Sequence, residues 1–503
     1  MIARKSALII FVQILNGLLG YIALKFISLY MSPWEYGVVG FAYSFVALFS
    51  IFGDLGFNQA HIKRVSEGKD LGTCIATFAY IKLFLVGLMS STVIGSIFVW
   101  KYIFHRGFES PVHEQAVYVM LAYYVLWALS QIMTSTFIAR REIAKYQVPS
   151  LIYTLVRVTL TIFIAFYNLG VLLLSYSYVV GEFFYFIFNL ALFRGYRIGK
   201  PSMSYFWSYA KYAINIALAG ISVVIMTNID KVFIQLFWSA KEVGEYFAVF
   251  NLSRFVILFS SAVGTLLLPT ISSYHSNHYL DQIKEIVLRA ERYLSMITFP
   301  IIMIMVSLAY PIIHILLSDR YLPAVIILQI LPLFVLVEVL SGPYTQQLSG
   351  MNMPNYARNR VIIMMLTNVL LDMILIPKDI SSLGIKLLGW GIKGAAIATV
   401  ISYIVGLLYI RIVSWRITGV KGNWKVGIHA LAALLMAGVL DYIQIYVCIA
   451  RWYDLIAISL VGISVYFGIL FVLREFKRED MYFFLEIMNP KGMLRYVVNE
   501  IRR

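Results

Sequence analysis

The sequence predicts an all-α membrane protein of about 14 transmembrane helices, and three observations carry that prediction. Apolar residues make up 61% of the 503-residue chain, and charged residues only 13%. The apolar residues also gather in runs of membrane-spanning length. An average soluble protein carries roughly 25% charged residues, so a chain this apolar, with mean hydropathy +0.82, has too little polar surface to cover itself in water.

A bilayer core about 30 Å thick takes roughly 20 residues of helix. Runs of that kind cover 7–30, 37–58, 75–99, 115–138, 148–167, 170–193, 211–237, 244–271, 293–317, 324–348, 359–376, 390–412, 426–447 and 453–473. The first run exceeds the core of about 7–15 residues of a cleavable signal and is read as a permanent span. The links between runs leave no room for a soluble catalytic domain.

The net charge of +16 suggests nucleic acid until the charges are placed. Lys63, Arg64 and Lys69, then Arg140, Arg141 and Lys145, then Arg194, Arg197 and Lys200 fall in alternate links. The intervening links hold few, such as Lys101, Lys241 and Arg320. Basic loops stay cytoplasmic, so the bias predicts an even span count in the cell membrane with both termini cytoplasmic. Charge therefore reports topology. Cys74 and Cys448 make neither a disulfide framework nor a metal site.

A motif repeats. SPWEYGVVGFA from Ser32 and SAKEVGEYFAV from Ser239 share Ser32/Ser239, Glu35/Glu242 and Gly37/Gly244, each pair 207 residues apart. Both copies sit in short outer links, between spans 1 and 2 and between spans 7 and 8. Transporters commonly pair two repeated halves with the substrate path between them. The predicted parts are an N-lobe over 1–198 with spans 1–6, a C-lobe over 199–415 with spans 7–12, spans 13–14 over 416–474, and a basic tail over 475–503. The tail is either an amphipathic surface helix or loosely ordered.

Charges inside spans cost at least about 2.5–3.5 kcal/mol at the bilayer centre and need a cavity or a partner. The basic ones are Lys25, Lys82, Arg157, Lys231 and Arg254; the acidic ones are Asp54, Glu182, Asp230, Glu338 and Asp372. Lys82, Asp54 and Asp372 lie near span ends, where Lys82 can snorkel. Gly17, Tyr21, Lys25 and Ser28 share one helical face, as do Asn228, Lys231 and Gln235, and Asn251, Arg254 and Ser261. Such stripes line an aqueous path or form interhelical seams. Read as a path, Lys25, Arg157, Lys231 and Arg254 make a cationic cavity suited to an anionic head group such as a pyrophosphate. Tyr21, Ser28, Asn228, Gln235 and Asn251 supply its polar walls.

The segments GDLGFNQAHIKRVSEG from Gly53, TNIDKVFIQLFWSAKEVGEYFAVFNLSR from Thr227, LLLPTISSY from Leu266 and DMILIPKDISSLGIKLLGWGIKGAAIATVISY from Asp372 resemble, in order and spacing, the oligosaccharide-lipid flippases of the polysaccharide-transporter branch of the MOP (multidrug/oligosaccharidyl-lipid/polysaccharide) superfamily. The resemblance covers roughly 5–415. It implies two six-helix lobes around a central cavity, alternating access, and movement of a polyprenyl-pyrophosphate oligosaccharide whose tail stays in lipid. Two extra C-terminal helices occur in some relatives, including lipid II flippases, where they help form a groove for the tail.

The nearest rival is a drug/cation antiporter of the multidrug and toxic-compound extrusion (MATE) family, which shares that fold. A cation exporter wants acids in its binding lobe, whereas span 1 carries Lys25 and no acid. A membrane enzyme is disfavoured: the chain has no H-E-x-x-H, no paired-Asp motif and no nucleophile elbow, and His275 and His278 are the only spaced histidine pair. No cofactor is expected beyond a coupling ion, Na⁺ or H⁺, for which Asp54, Glu182 and Asp230 are candidates unless they simply pair with nearby cations. The expected partners are the lipid-linked glycan, membrane lipids and glycan-assembly enzymes.

Overall fold

The computed structural model describes residues 2–103, 107–254, 257–380, 385–477 and 480. Helix follows every predicted apolar run. In order these are α1 (Ile2–Tyr30), α2 (Pro33–Phe49), α3 (Phe57–Ser66), α4 (Leu71–Phe98), α5 (Pro111–Ala139), α6 (Ile143–Phe166), α7 (Val171–Phe193), α8 (Met203–Phe237) and α9 (Ala240–Arg254). There follow α10 (Ile257–Ser276), α11 (Leu280–Ser307), the short α12 (Ala309–Ile312) and α13 (Val325–Ile330), α14 (Pro332–Gly350), α15 (Pro354–Leu375), α16 (Gly391–Thr418), α17 (Lys425–Tyr446) and α18 (Trp452–Val472). Two antiparallel two-residue strands, β1 (Asp379–Ile380) and β2 (Ile385–Lys386), form a hairpin between α15 and α16.

Among the described residues, 12 helical stretches are long and apolar enough to cross a membrane. The predicted count of 14 is thus approximate. Residues 255–256 of the eighth run, between α9 and α10, lie outside the described residues, and α15 carries Arg358, Arg360 and Asp372. Of the predicted tail, only Glu475, Phe476, Lys477 and Asp480 fall within the described residues.

Local sequence sets the helix starts. Ser32 caps α2: its hydroxyl accepts from Glu35 N at 3.3 Å, and Glu35 Oε2 accepts from Ser32 N at 2.7 Å. Pro33 follows at the position where its missing N–H costs nothing. Asp70 caps α4 by accepting from Thr73 N at 2.7 Å. Gly56 turns the chain into α3 at φ 82°, where a Cβ would lie 2.6 Å from the Ala213 carbonyl oxygen. Only glycine fits there.

The chain divides into two compact units. One comprises Val12–Ala248 and Val361–Ala398; the other takes Met1–Phe11, Val249–Arg360 and the chain from Thr399 onward. The divisions fall inside α1, α9, α15 and α16. They group residues by packing, whereas the predicted lobes 1–198 and 199–415 group them by order along the chain.

In the first of these units α5 packs against α2 and α7, α6 against α7, and α2 and α3 against α8. Phe57, Ala60, Phe78, Ile81, Leu85, Tyr209 and Ala213 form a buried cluster at the α3–α4–α8 junction. His61 of α3 belongs to it. Its ring stacks on Phe78 at 4.2 Å, and its nitrogens meet Tyr209 Oη at 2.8 Å and Thr136 Oγ1 at 2.9 Å. Burial, with Lys82 nearby, pushes the imidazole down to about 3, so this histidine is a neutral core residue.

In the other unit α11 packs against α10, α14 and α17. Glu291 of α11 is fully buried. It pairs with Arg411 and accepts from Tyr344 Oη at 2.6 Å and Asn423 N at 2.8 Å. Such saturation is what a buried carboxylate requires. One residue on, Arg292 holds Asp480 at 2.7 Å and Glu475, and Lys425 reaches Glu475 at 2.7 Å. The chain beyond α18 is thereby clamped to α11 and α17.

Candidate functional site

The predicted acids have different surroundings. Asp54 takes the pairing alternative. Lys82 Nζ lies 3.4 Å from its Oδ1 and donates to Gly53 O at 2.8 Å, while Asn58 N donates to the same carboxylate at 2.9 Å. Lys82 is fully buried and does not snorkel.

Asp230 lies elsewhere in the same unit, in a buried group of another kind. Tyr246 Oη donates to its Oδ2 at 2.5 Å, and its carboxyl stands beside that of Asp372 on α15. Both aspartates are fully buried. Neither oxygen of Asp372 has a protein donor among the described residues, because its neighbour is another carboxyl. Lys231, also buried, stands within electrostatic reach of Asp372, donates to Thr227 O, and lies 5.9 Å from the Tyr246 ring centroid. One turn before Asp372, on the same face, Asn368 is buried with both amide atoms unsatisfied among the described residues. Two carboxyls close together away from water repel unless positive charge stands beside them, and Lys231 is the cation near this pair.

Glu182 on α7 is 3% exposed, and its Oε1 has no hydrogen-bond partner among the described residues; its neighbour is Ser130 on α5. Near it Arg157 on α6 lies between tyrosine rings, 4.9 Å from Tyr178 and 5.6 Å from Tyr153. Tyr43, Tyr123 and Tyr124 continue this aromatic group, with centroids 5.0–6.0 Å apart. Cation–π contact desolvates the guanidinium at modest cost.

The remaining positions are less uniform. Lys25 and Tyr21 are half-buried on α1, whereas Ser28 is fully buried and donates to Lys25 O at 2.8 Å. Asn228 turns its amide to Val224 O at 2.9 Å. Gln235 donates to Glu109 Oε2 at 2.7 Å. Arg254 and Asn251 are exposed on α9 in the other unit, Arg254 with Phe250 at 5.4 Å; the side chain of Ser261 lies outside the described residues. The structure therefore joins Lys231 and Asp230 to Asp372, and Arg157 to the tyrosines. Glu338, the other predicted acid, is paired with Arg360.

Asp372, which the sequence places near a span end, is fully buried beside Asp230, and Asn368, Tyr246 and Glu109 are not among the sequence candidates. The spacing of Asn368 and Asp372, one turn apart in an otherwise apolar stretch, was the available signal.

Long apolar helices, paired repeat motifs and buried charge within those helices define a polytopic helical membrane protein. The chain belongs to the polysaccharide biosynthesis protein family, whose model matches residues 29–326. It is similar to two proteins of Haloferax volcanii. One is a probable low-salt glycan biosynthesis flippase, Agl15, 22% identical over 87% of this chain and 89% of the relative. The other is a probable flippase, AglR, 23% identical over 95% and 97%. Among solved structures, the lipid II flippase MurJ in an inward closed conformation matches with TM-score 0.76 and 17% identity, covering 92% of this chain and 98% of that one. An inward-facing MATE family transporter matches with TM-score 0.62 and 14% identity, covering 80% and 95%. At these identities the structures establish the fold.

Proposed function

We propose that this chain is a flippase that moves a polyprenyl-pyrophosphate-linked oligosaccharide across the cell membrane by alternating access, for surface polysaccharide or glycoprotein glycan assembly. It is a transporter and not an enzyme. The observation that carries this reading is the match, over nearly the whole chain, to two relatives named as flippases, within a polysaccharide biosynthesis family. A glycan crossing hydrocarbon unaided would strip water from many hydroxyls, each costing several kcal/mol when unpaired. Tyrosine, asparagine and glutamine walls would remove that cost, Lys25 and Arg157 would meet the pyrophosphate, and Arg254 is a separate cationic candidate.

Asp230 and Asp372 form the coupling site in this reading. Their shared cation, Na⁺ or H⁺, binds and leaves as the protein changes state, with Lys231 setting its affinity; Glu182 is a second candidate. Both termini lie in the cytoplasm, as the basic links suggest. The test is genetic. Deleting the gene in its own host should make the lipid-linked glycan accumulate on the cytoplasmic leaflet and strip the glycan from the surface, with restoration by the intact gene. An unchanged surface glycan after deletion would count against the reading.

A further inference from the structure

The two copies of the repeated motif meet directly. A Cβ on Gly37 would lie 1.6 Å from the Ala240 carbonyl oxygen, and one on Gly244 would lie 1.8 Å from the Pro33 carbonyl oxygen. The first turns of α2 and α9 therefore touch backbone to backbone. Above this contact stands Glu109, from the link before α5. Its Oε1 accepts from Trp34 Nε1 at 2.9 Å, and its Oε2 accepts from Gln235 Nε2 at 2.7 Å and from Ala240 N at 2.8 Å. Trp34 lies in the first copy of the motif, Ala240 in the second, and Gln235 ends the helix that leads into it. His113 Nε2 stands 3.7 Å from Oε2.

We propose that Glu109 is a positioning residue that latches the two motif copies together at the predicted outer face, and that its release accompanies opening of that face during transport. The proposal rests on the alternating-access reading above. A carboxylate suits this place because all of its neighbours are donors and it has only acceptor sites to offer. Burial works against its charge, yet the hydrogen bonds from Trp34, Ala240 and Gln235 outweigh that and hold the carboxyl below the usual carboxylate range. The amino end of α9 adds favourable dipole charge. Glu109, from a third segment, thus supplies one acceptor group to donors of both motif copies. A latch made of three hydrogen bonds at the rim, over a packed contact, can open without unfolding either helix.

Glu109→Gln is the informative variant. It keeps size and shape but turns an NH₂ group toward at least one donor. The measurement is the rate at which an impermeant maleimide labels a Tyr36→Cys reporter in right-side-out vesicles, in a background with Cys74 and Cys448 replaced. Tyr36 is buried beside the Gly37 contact. The latch predicts labelling about ten-fold faster in Glu109→Gln, the effect of losing one charge-assisted hydrogen bond, at an unchanged melting temperature. Trp34→Phe, which removes a single donor, should move the rate in the same direction. Unchanged labelling in both variants, or a lowered melting temperature with unchanged labelling, overturns the latch. Labelling needs no substrate, so a failure of the flippase reading would appear separately, as absent glycan movement in the wild-type protein.

Discussion

Gly37 and Gly244 occupy corresponding places in the two motif copies, and each leaves open the space that the other's helix backbone occupies. The Gly37 position faces Ala240 O and Gly244 N, and the Gly244 position faces Pro33 O and Gly37 N. A match of three residues at a spacing of 207 is thus a reciprocal contact. Gly40 extends it, since a Cβ there would meet the Phe247 ring at 2.8 Å.

Replacing either glycine by alanine is expected to destabilise the protein by about 1–3 kcal/mol, the usual cost of overpacking, because the obstacle is backbone. Gly87, with nothing within 4 Å of its Cβ position, is the control. Thermal unfolding in detergent should separate Gly37→Ala and Gly244→Ala from Gly87→Ala. Equal melting temperatures would remove the contact from the account.

Asp230 and Asp372 should govern ion dependence. Adding Na⁺ or lowering the pH is expected to raise the melting temperature of the wild-type protein, since a cation bound only to the folded state stabilises it. Asp372→Asn, which neutralises one member of the pair, should abolish the response. It should also weaken the dependence of transport on the corresponding gradient by about ten-fold, equivalent to about 1.4 kcal/mol. A full response in Asp372→Asn would place coupling elsewhere, with Glu182→Gln the next variant to measure.

In the proposed reading the cationic residues divide into two roles. Lys25→Ala and Arg254→Ala should weaken transport of a pyrophosphate-linked substrate while expression stays normal. Lys231→Ala, whose ammonium lies beside Asp372, should instead alter the ion dependence. Initial rates against substrate and ion concentration distinguish these outcomes. Wild-type transport in all three variants would contradict the cationic-cavity reading.

The clamp beyond α18 should depend on pH in a defined direction. Burial opposes charge on Asp480 and Glu475, but hydrogen bonds outweigh it: Arg292 and Lys477 N hold Asp480 down to about 2, and Lys425 and Arg292 hold Glu475 below the usual range. Carboxyls depressed on folding stabilise above their unfolded pKa, near 4, and that stability is lost as pH falls toward the folded value. Amide exchange at residues 473–477 should therefore stay slow from neutral pH to about pH 5 and quicken below about pH 4, after correction for intrinsic rates. Arg292→Gln should quicken it at neutral pH. Slow exchange in that variant would show that the clamp does not rest on these pairs.

Much of this was legible in the chain. Apolar runs placed the helices because lipid leaves the backbone little alternative to helix, and the repeat could be read because its serine and glutamate form the capping box of α2. Partnership was harder to read. Lys82 and Asp54 lie 28 residues apart, and Asp230 and Asp372 lie 142 apart, so their pairing follows from helix packing and not from any local pattern. Glu109 lies in a link with no local pattern to mark it, because its three donors come from α2, α8 and α9.

Reconstitution tests the central claim most directly. Purified protein in liposomes carrying a lipid-pyrophosphate oligosaccharide would be followed for glycan exposure at the opposite leaflet, beside vesicles loaded with a lipophilic dye cation. The account predicts glycan movement without dye efflux. Ion-driven dye efflux with no glycan movement would contradict it and place the chain with the cation antiporters that share its fold.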